Sequence, residues 1–188
     1  MIPYTVDRRA DTGATNVTLG IWLFLASEVM LFGAMFSAYA LLRVSAPAWP
    51  HGPDLLNWHL GAQNTVVLLI GTFGIWRARR TIGSARRSWL TLGIVGAIFF
   101  LTLKSTEYRA EIALGFVPSI STFAAMYFTL TGLHAVHVLG GLVANFWVMG
   151  NARSVGDAMT AGRLHALSLY WLFVDVVWLI IFVLVYLT

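Results

Sequence analysis

The chain has 188 residues, 59% of them hydrophobic and 11% charged, with a mean hydropathy of +0.77; several apolar runs outlast an ordinary core helix, which is the composition of an integral membrane protein and not of a water-soluble domain. Cysteine is absent, which excludes disulfides, thiolate metal sites and iron-sulfur ligation and leaves histidine, carboxylate and methionine as the available ligands. The net charge of +4 gathers in one short loop, a topology signal rather than a nucleic-acid surface, so no nucleic-acid partner is expected.

The hydrophobic runs predict an all-α membrane bundle of five transmembrane helices, at about 17–43, 60–77, 88–109, 121–149 and 165–187. They form one membrane domain over 1–188, behind a short cytoplasmic arm of about residues 1–16. The first run follows a segment that contains acidic residues and arginines, lacks a small-residue cleavage site and is too long for a signal-peptide core, so it counts as structure. Long continuous runs also argue against membrane β-strands, which would alternate in polarity over about 10 residues. Asn16 or Thr18 can cap the first helix, Ser88 the third and Ser121 the fourth, and 46-APAWPHGP-53 breaks the chain after the first.

Orientation follows from the arginines. The loop 77-RARRTIGSARR-87 shares a side, by alternation, with Arg8, Arg9, Arg153 and Arg163, which places nine of the twelve basic residues together. The positive-inside rule then predicts a cytoplasmic N-terminus and a periplasmic C-terminus. The loop itself is expected to be a solvated cluster at the lipid headgroups.

Polar residues within the spans are few: Glu28, Gln63, Asn64, Lys104, Glu107, His134, His137 and Asp175. Each should face protein or water rather than lipid. Glu28 lies twelve residues from Asn16, His137 twelve from Met149 and Asp175 ten from His165. All three therefore sit about 15–18 Å from the same side, near the midplane, which allows one shared cluster. An isolated ionised carboxylate at that depth costs about 2.5–3.5 kcal/mol, so Glu28 should be protonated, hydrogen-bonded or both, with His137 as its partner. His134 and His137 are three apart and share a helix face, the arrangement a metal or a haem could use. The remaining histidines, however, fall in loops or at helix ends, and no metal site is expected. Gly132, Ala135, Gly140 and Gly141 around the pair suit close helix packing in lipid.

Five stretches, one per helix, resemble subunit III of the haem–copper terminal oxidases: 26-ASEVMLFGAMFSAY-39, 64-NTVVLL-69, 104-KSTEY-108, 121-STFAAMYFTLTGLHAVHVLGG-141 and 169-LYWLFVDVVWLIIFVLVYL-187. They occur in family order and cover nearly the whole chain after residue 17. Mitochondrial members have seven helices and a V-shaped, lipid-filled cleft; this chain is similar to the short bacterial five-helix form. The resemblance implies a non-catalytic accessory subunit in the bacterial cytoplasmic (inner) membrane. It would carry no haem or copper of its own, stabilise the catalytic subunit I, associate with subunit II and other respiratory subunits, and hold phospholipid in its cleft. It places Glu28 on the family's carbodiimide-reactive glutamate, His134 and His137 on its histidine pair, Glu107 on the acid ending the third helix, and Asp175 on the last helix's aspartate. One departure is that Leu172, in 170-YWLFVD-175, stands where the family usually has histidine. The alternatives are the accessory membrane protein of nitric oxide reductase from the same superfamily, a free-standing proton-coupled carrier using Glu28, His137 and Asp175, and a b-type cytochrome using the histidine pair.

Overall fold

A computed structural model describes residues 13–151 and 157–188. Arg8, Arg9, Arg153 and most of the expected N-terminal arm lie outside the described residues. Among the described residues all regular structure is helical: α1 (Asn16–Ser45), α2 (Gly52–Leu55), α3 (Trp58–Ala78), α4 (Gly83–Ala113), α5 (Thr122–Asn151) and α6 (Asp157–Ile181), which runs on as a π-helical segment over Phe182–Leu187. By length and composition α1, α4, α5 and the α6 span Met159–Leu187 can cross a membrane. The chain is thus an integral membrane protein. The fifth expected span, α3, is shorter at 21 residues, or about 30 Å, and Gln63, Asn64 and its glycines lower its hydropathy.

The ends of the helices differ from expectation where a neighbouring residue has the better geometry. Thr15, not Asn16 or Thr18, caps α1, its Oγ1 accepting the Thr18 N–H at 3.2 Å. Ser121 does cap α5, its Oγ accepting from Ala124 N at 3.0 Å. Ser88 is no cap: α4 already begins at Gly83, whose φ of +63° lets the chain turn out of the arginine loop. Its hydroxyl bonds back to Ser84 O within the helix. The arginine loop is also less free than expected, because Arg79 donates to Ser168 of α6 at 3.1 Å and Arg86 to Thr81 O at 2.8 Å.

Helices α3, α4, α5 and α6 close into a four-membered ring in which each packs on the next, and α1 lies outside it along α6, meeting α5 only briefly. In lipid there is no hydrophobic gain from pairing helices, so close packing and polar contacts must hold them. Glycines provide the first. Gly71 and Gly96 bring the α3 and α4 backbones together, and Gly141 lets the indole of Trp171 approach α5 closely. Aromatic edges fill the interior, as where Phe100 meets Trp178 edge to face at 4.8 Å.

The break at 46–53 does more than reverse the chain. Its Trp49 packs edge-on against Tyr39 and Phe123, and α2 seats Gly52 directly on the backbone of Val185 in the π segment. From α1, Tyr39 donates to the Leu184 carbonyl at 2.6 Å and Arg43 to Thr188 Oγ1 at 2.6 Å. The wider turn of the π segment is where α1, α2 and α6 are joined.

Two substitutions test the glycine contact. A Cβ at Gly74 would lie 2.8 Å from the Trp89 carbonyl oxygen, whereas one at Gly71 meets nothing closer than 3.6 Å. Gly74→Val should push α3 from α4 and destabilise by about 1–3 kcal/mol, seen as a lower Tm in detergent. Gly71→Ala should keep or raise the Tm, and equal losses from both would contradict this packing.

Candidate functional site

Two polar clusters join the helices. The first lies on the outer side of the ring, where His137 Nε2 of α5 is 2.8 Å from Glu28 Oε2 of α1. The other ring nitrogen, Nδ1, lies 2.8 Å from the Leu133 carbonyl. A carbonyl can only accept, so Nδ1 donates. Nε2 therefore either accepts from a protonated Glu28 or, in an imidazolium, donates to its carboxylate. Both forms are neutral as a pair, which suits a site whose side chains are only 12% and 15% exposed. Tyr170 of α6 donates to the His137 carbonyl at 2.7 Å, and Phe32 covers the imidazole edge-on at 5.0 Å. The pair fixes α1 at the one level where it approaches α5.

The second cluster is inside the ring, toward the end of α4. Lys104 Nζ donates to Glu107 Oε1 at 3.1 Å, to Tyr127 OH of α5 at 3.2 Å, and to Tyr186 OH of the π segment. Both phenols donate hydrogen bonds to the same Glu107 Oε1, at 2.8 and 2.5 Å. All three ammonium protons are used and the charge is balanced within the cluster. The rings of Tyr108, Tyr127, Trp178 and Tyr186 surround the cation at 4.7 to 5.6 Å from their centroids, adding cation–π attraction where no water competes. Lys104 and Glu107 are each 2% exposed, so the lysine's hydrogen bonds and the phenols tie α4, α5 and α6 at one point.

The other expected site residues are dispersed. His134 does not share His137's direction: it is buried inside the ring between Phe100 and Trp178, at 5.5 and 5.1 Å, while His137 turns out to α1. Asp175 does not reach the Glu28–His137 pair despite its similar depth; it faces Thr72 of α3. Among the described residues no three His, Asp or Glu side chains converge as a metal site. Asn64 is fully buried, whereas Gln63, five residues from the start of α3, is exposed. Leu172 is 56% exposed on the outside of α6, so the position that differs from the family pattern touches neither cluster.

Sequence reasoning named Lys104 and Glu107 but missed Tyr127, Tyr186 and Tyr108. The signal was spacing: Tyr127 precedes His134 by two turns and Tyr186 follows Trp178 by about the same, each on the inward stripe of its helix. Beside the Glu28–His137 pair, a groove of about 410 Å³ opens between α1, α5 and α6. It is lined by Val17, Ile21, Phe24, Trp147, Tyr170 and Arg163 among others.

The clusters make separable predictions. Removing one partner of the buried pair, as in Glu107→Leu, should cost about 3–5 kcal/mol. The double change Lys104→Met with Glu107→Leu should recover part of that loss in a thermal melt. For Glu28 and His137, a double-mutant cycle with alanine should give a coupling of about 0.6–1.7 kcal/mol; strictly additive losses would show that the contact contributes nothing.

With this geometry in view, the comparisons with known proteins are consistent. The chain is 32% identical over 186 residues to the cytochrome bo(3) ubiquinol oxidase subunit 3 of Pseudomonas aeruginosa, covering 96% of this chain and 88% of that one. It is 30% identical over 193 residues to the cytochrome c oxidase subunit 3 of Bacillus sp. strain PS3, covering 98% and 92%. A heme-copper oxidase subunit I+III of Aeropyrum pernix is 33% identical over 189 residues, which are 92% of this chain and 23% of that longer protein. The family profile for cytochrome c oxidase subunit III matches residues 8–188, a range that includes every helix and both polar clusters. The chain belongs to the cytochrome c oxidase subunit III family.

Proposed function

We propose that this chain is the non-catalytic subunit III of a bacterial respiratory haem–copper oxidase, which reduces oxygen to water and translocates protons using haem and copper held in partner subunits. The observation that carries the reading is the family match over residues 8–188. The relatives named as subunit 3 of ubiquinol and cytochrome c oxidases agree with it. The subunit I+III relative supports direct contact with subunit I, since its name joins both subunits; subunit II and other respiratory subunits complete the assembly. The role of this chain is to stabilise subunit I during turnover.

In this reading α3 is the fifth span, and the chain lies in the bacterial cytoplasmic membrane with its N-terminus inside and its C-terminus in the periplasm. Three arginine–tryptophan pairs support the assignment of the cytoplasmic end: Arg80 over Trp76 at 4.1 Å, Arg163 over Trp147 at 4.4 Å and Arg77 near Trp89 at 5.6 Å. Tryptophan favours the headgroup level and arginine the cytoplasmic side. The groove between α1, α5 and α6 suits a phospholipid, because its walls are apolar and Arg163 offers a cation to a phosphate.

The deciding experiment is a visible absorption spectrum of the tagged chain extracted in mild detergent, beside that of the chain purified alone. Haem signals with oxygen consumption in the assembly, and none in the isolated chain, are expected; haem in the isolated chain would overturn the reading. A hydrophobic carbodiimide should label Glu28, and Glu28→Gln should abolish that labelling while the complex still assembles. Labelling at full yield in the variant would assign the reactivity to another acid.

A further inference from the structure

The interior of the α3–α6 ring carries polar atoms that neither cluster uses. Asn64 is fully buried, and neither its Nδ2 nor its Oδ1 has a hydrogen bond; His134 is fully buried, and both ring nitrogens are unbonded. Thr72 Oγ1, Asp175 Oδ1 and Asn145 Oδ1 are likewise buried and unbonded. Asn145 spends only its Nδ2, on the Leu90 carbonyl at 3.4 Å.

These groups are ordered along the ring. Counted from the end where α3 stops and α4 starts, Asn145 comes first, beside Gly93. Thr72 follows, facing Asp175 across the α3–α6 contact without direct hydrogen-bond geometry. His134 lies farther on, against Trp178, and Asn64 two turns along α3 from Thr72. Buried polar atoms left bare are costly, and in hydrocarbon no outside solvent can relieve them. A bound water needs two to four polar partners, and the facing Thr72 and Asp175 side chains supply two at one place.

We propose that the interior of the four-helix ring is hydrated: individually bound water molecules bridge Thr72 to Asp175 and saturate Asn145, His134 and Asn64 at successive heights. The ligand class of these sites is water, and neither polar cluster belongs to them. Such an interior gives Asp175 a polar medium in which its carboxyl holds or exchanges a proton away from lipid.

Hydroxyl-radical footprinting by X-ray radiolysis of the purified assembly tests this directly, because bound water labels the side chains beside it. Trp178 is 1% exposed and lies against His134, while Trp58, at the start of α3, is 43% exposed. Labelling of Trp178, with Trp58 as the positive control, is the expected result. Labelled Trp58 with a silent Trp178 would overturn the proposal. The isosteric variants Thr72→Val and Asn64→Leu read the same point through stability. A dry orphan replaced by an apolar group leaves the Tm unchanged or raised, which would count against hydration, whereas loss of a water-bonded group lowers it, as the proposal requires.

Discussion

Apolar side chains gain nothing by leaving lipid for the face of another helix, so the force that builds a soluble core is missing between membrane helices. What remains is the depth of van der Waals contact and the hydrogen bonds that polar groups cannot find in hydrocarbon. The whole arrangement follows from that constraint. The ring of α3 to α6 uses both means, with glycine approaches between α3 and α4 and the Lys104–Glu107–tyrosine cluster between α4, α5 and α6. Helix α1 has little of the first: it exposes Trp22, Leu23, Met30 and Leu41 and depends on a few polar ties.

The two clusters solve the charge problem differently. Lys104 and Glu107 form a buried ion pair, and the surrounding phenols saturate the ammonium while the aromatic faces attract it. That is a rigid solution, suited to the inside of the ring. Glu28 and His137 make one contact that is neutral as a pair whichever of the two carries the proton. It sits at the edge, beside the groove, where α1 meets its neighbours least extensively.

The all-helical class and the membrane-spanning length of several helices were legible because apolar runs of that length have one reading in a chain of this composition. The partnership of Glu28 with His137 was legible too, since equal depth and the cost of an isolated carboxylate left few candidates. The separation of Asp175 was not legible, because depth carries no information about which helix faces which. The divergence of His134 from His137 depends on the turn of each side chain about α5, which spacing alone leaves open. The phenols around Lys104 read as ordinary aromatic core positions, and only the packing of α4, α5 and α6 reveals that their hydroxyls meet. The π turn was invisible for another reason: nothing in 182-FVLVYL-187 departs from an α-helical pattern, and its partners are Gly52 and Tyr39, from far along the chain.

That last dependence sets an order of events. Tyr39 and Arg43 find their partners at Leu184 and Thr188, 145 residues later in both cases, and Gly52 finds its seat on Val185. During synthesis α1 is the first helix to be made and α6 the last, so α1 enters the bilayer long before the carbonyl that anchors it exists. Closing so long a loop is an entropic cost met only at the end. Until then α1 lacks these contacts and has only its tie from Glu28 to His137 of α5. The far end of α1 is therefore held by the last helical turns that follow α6.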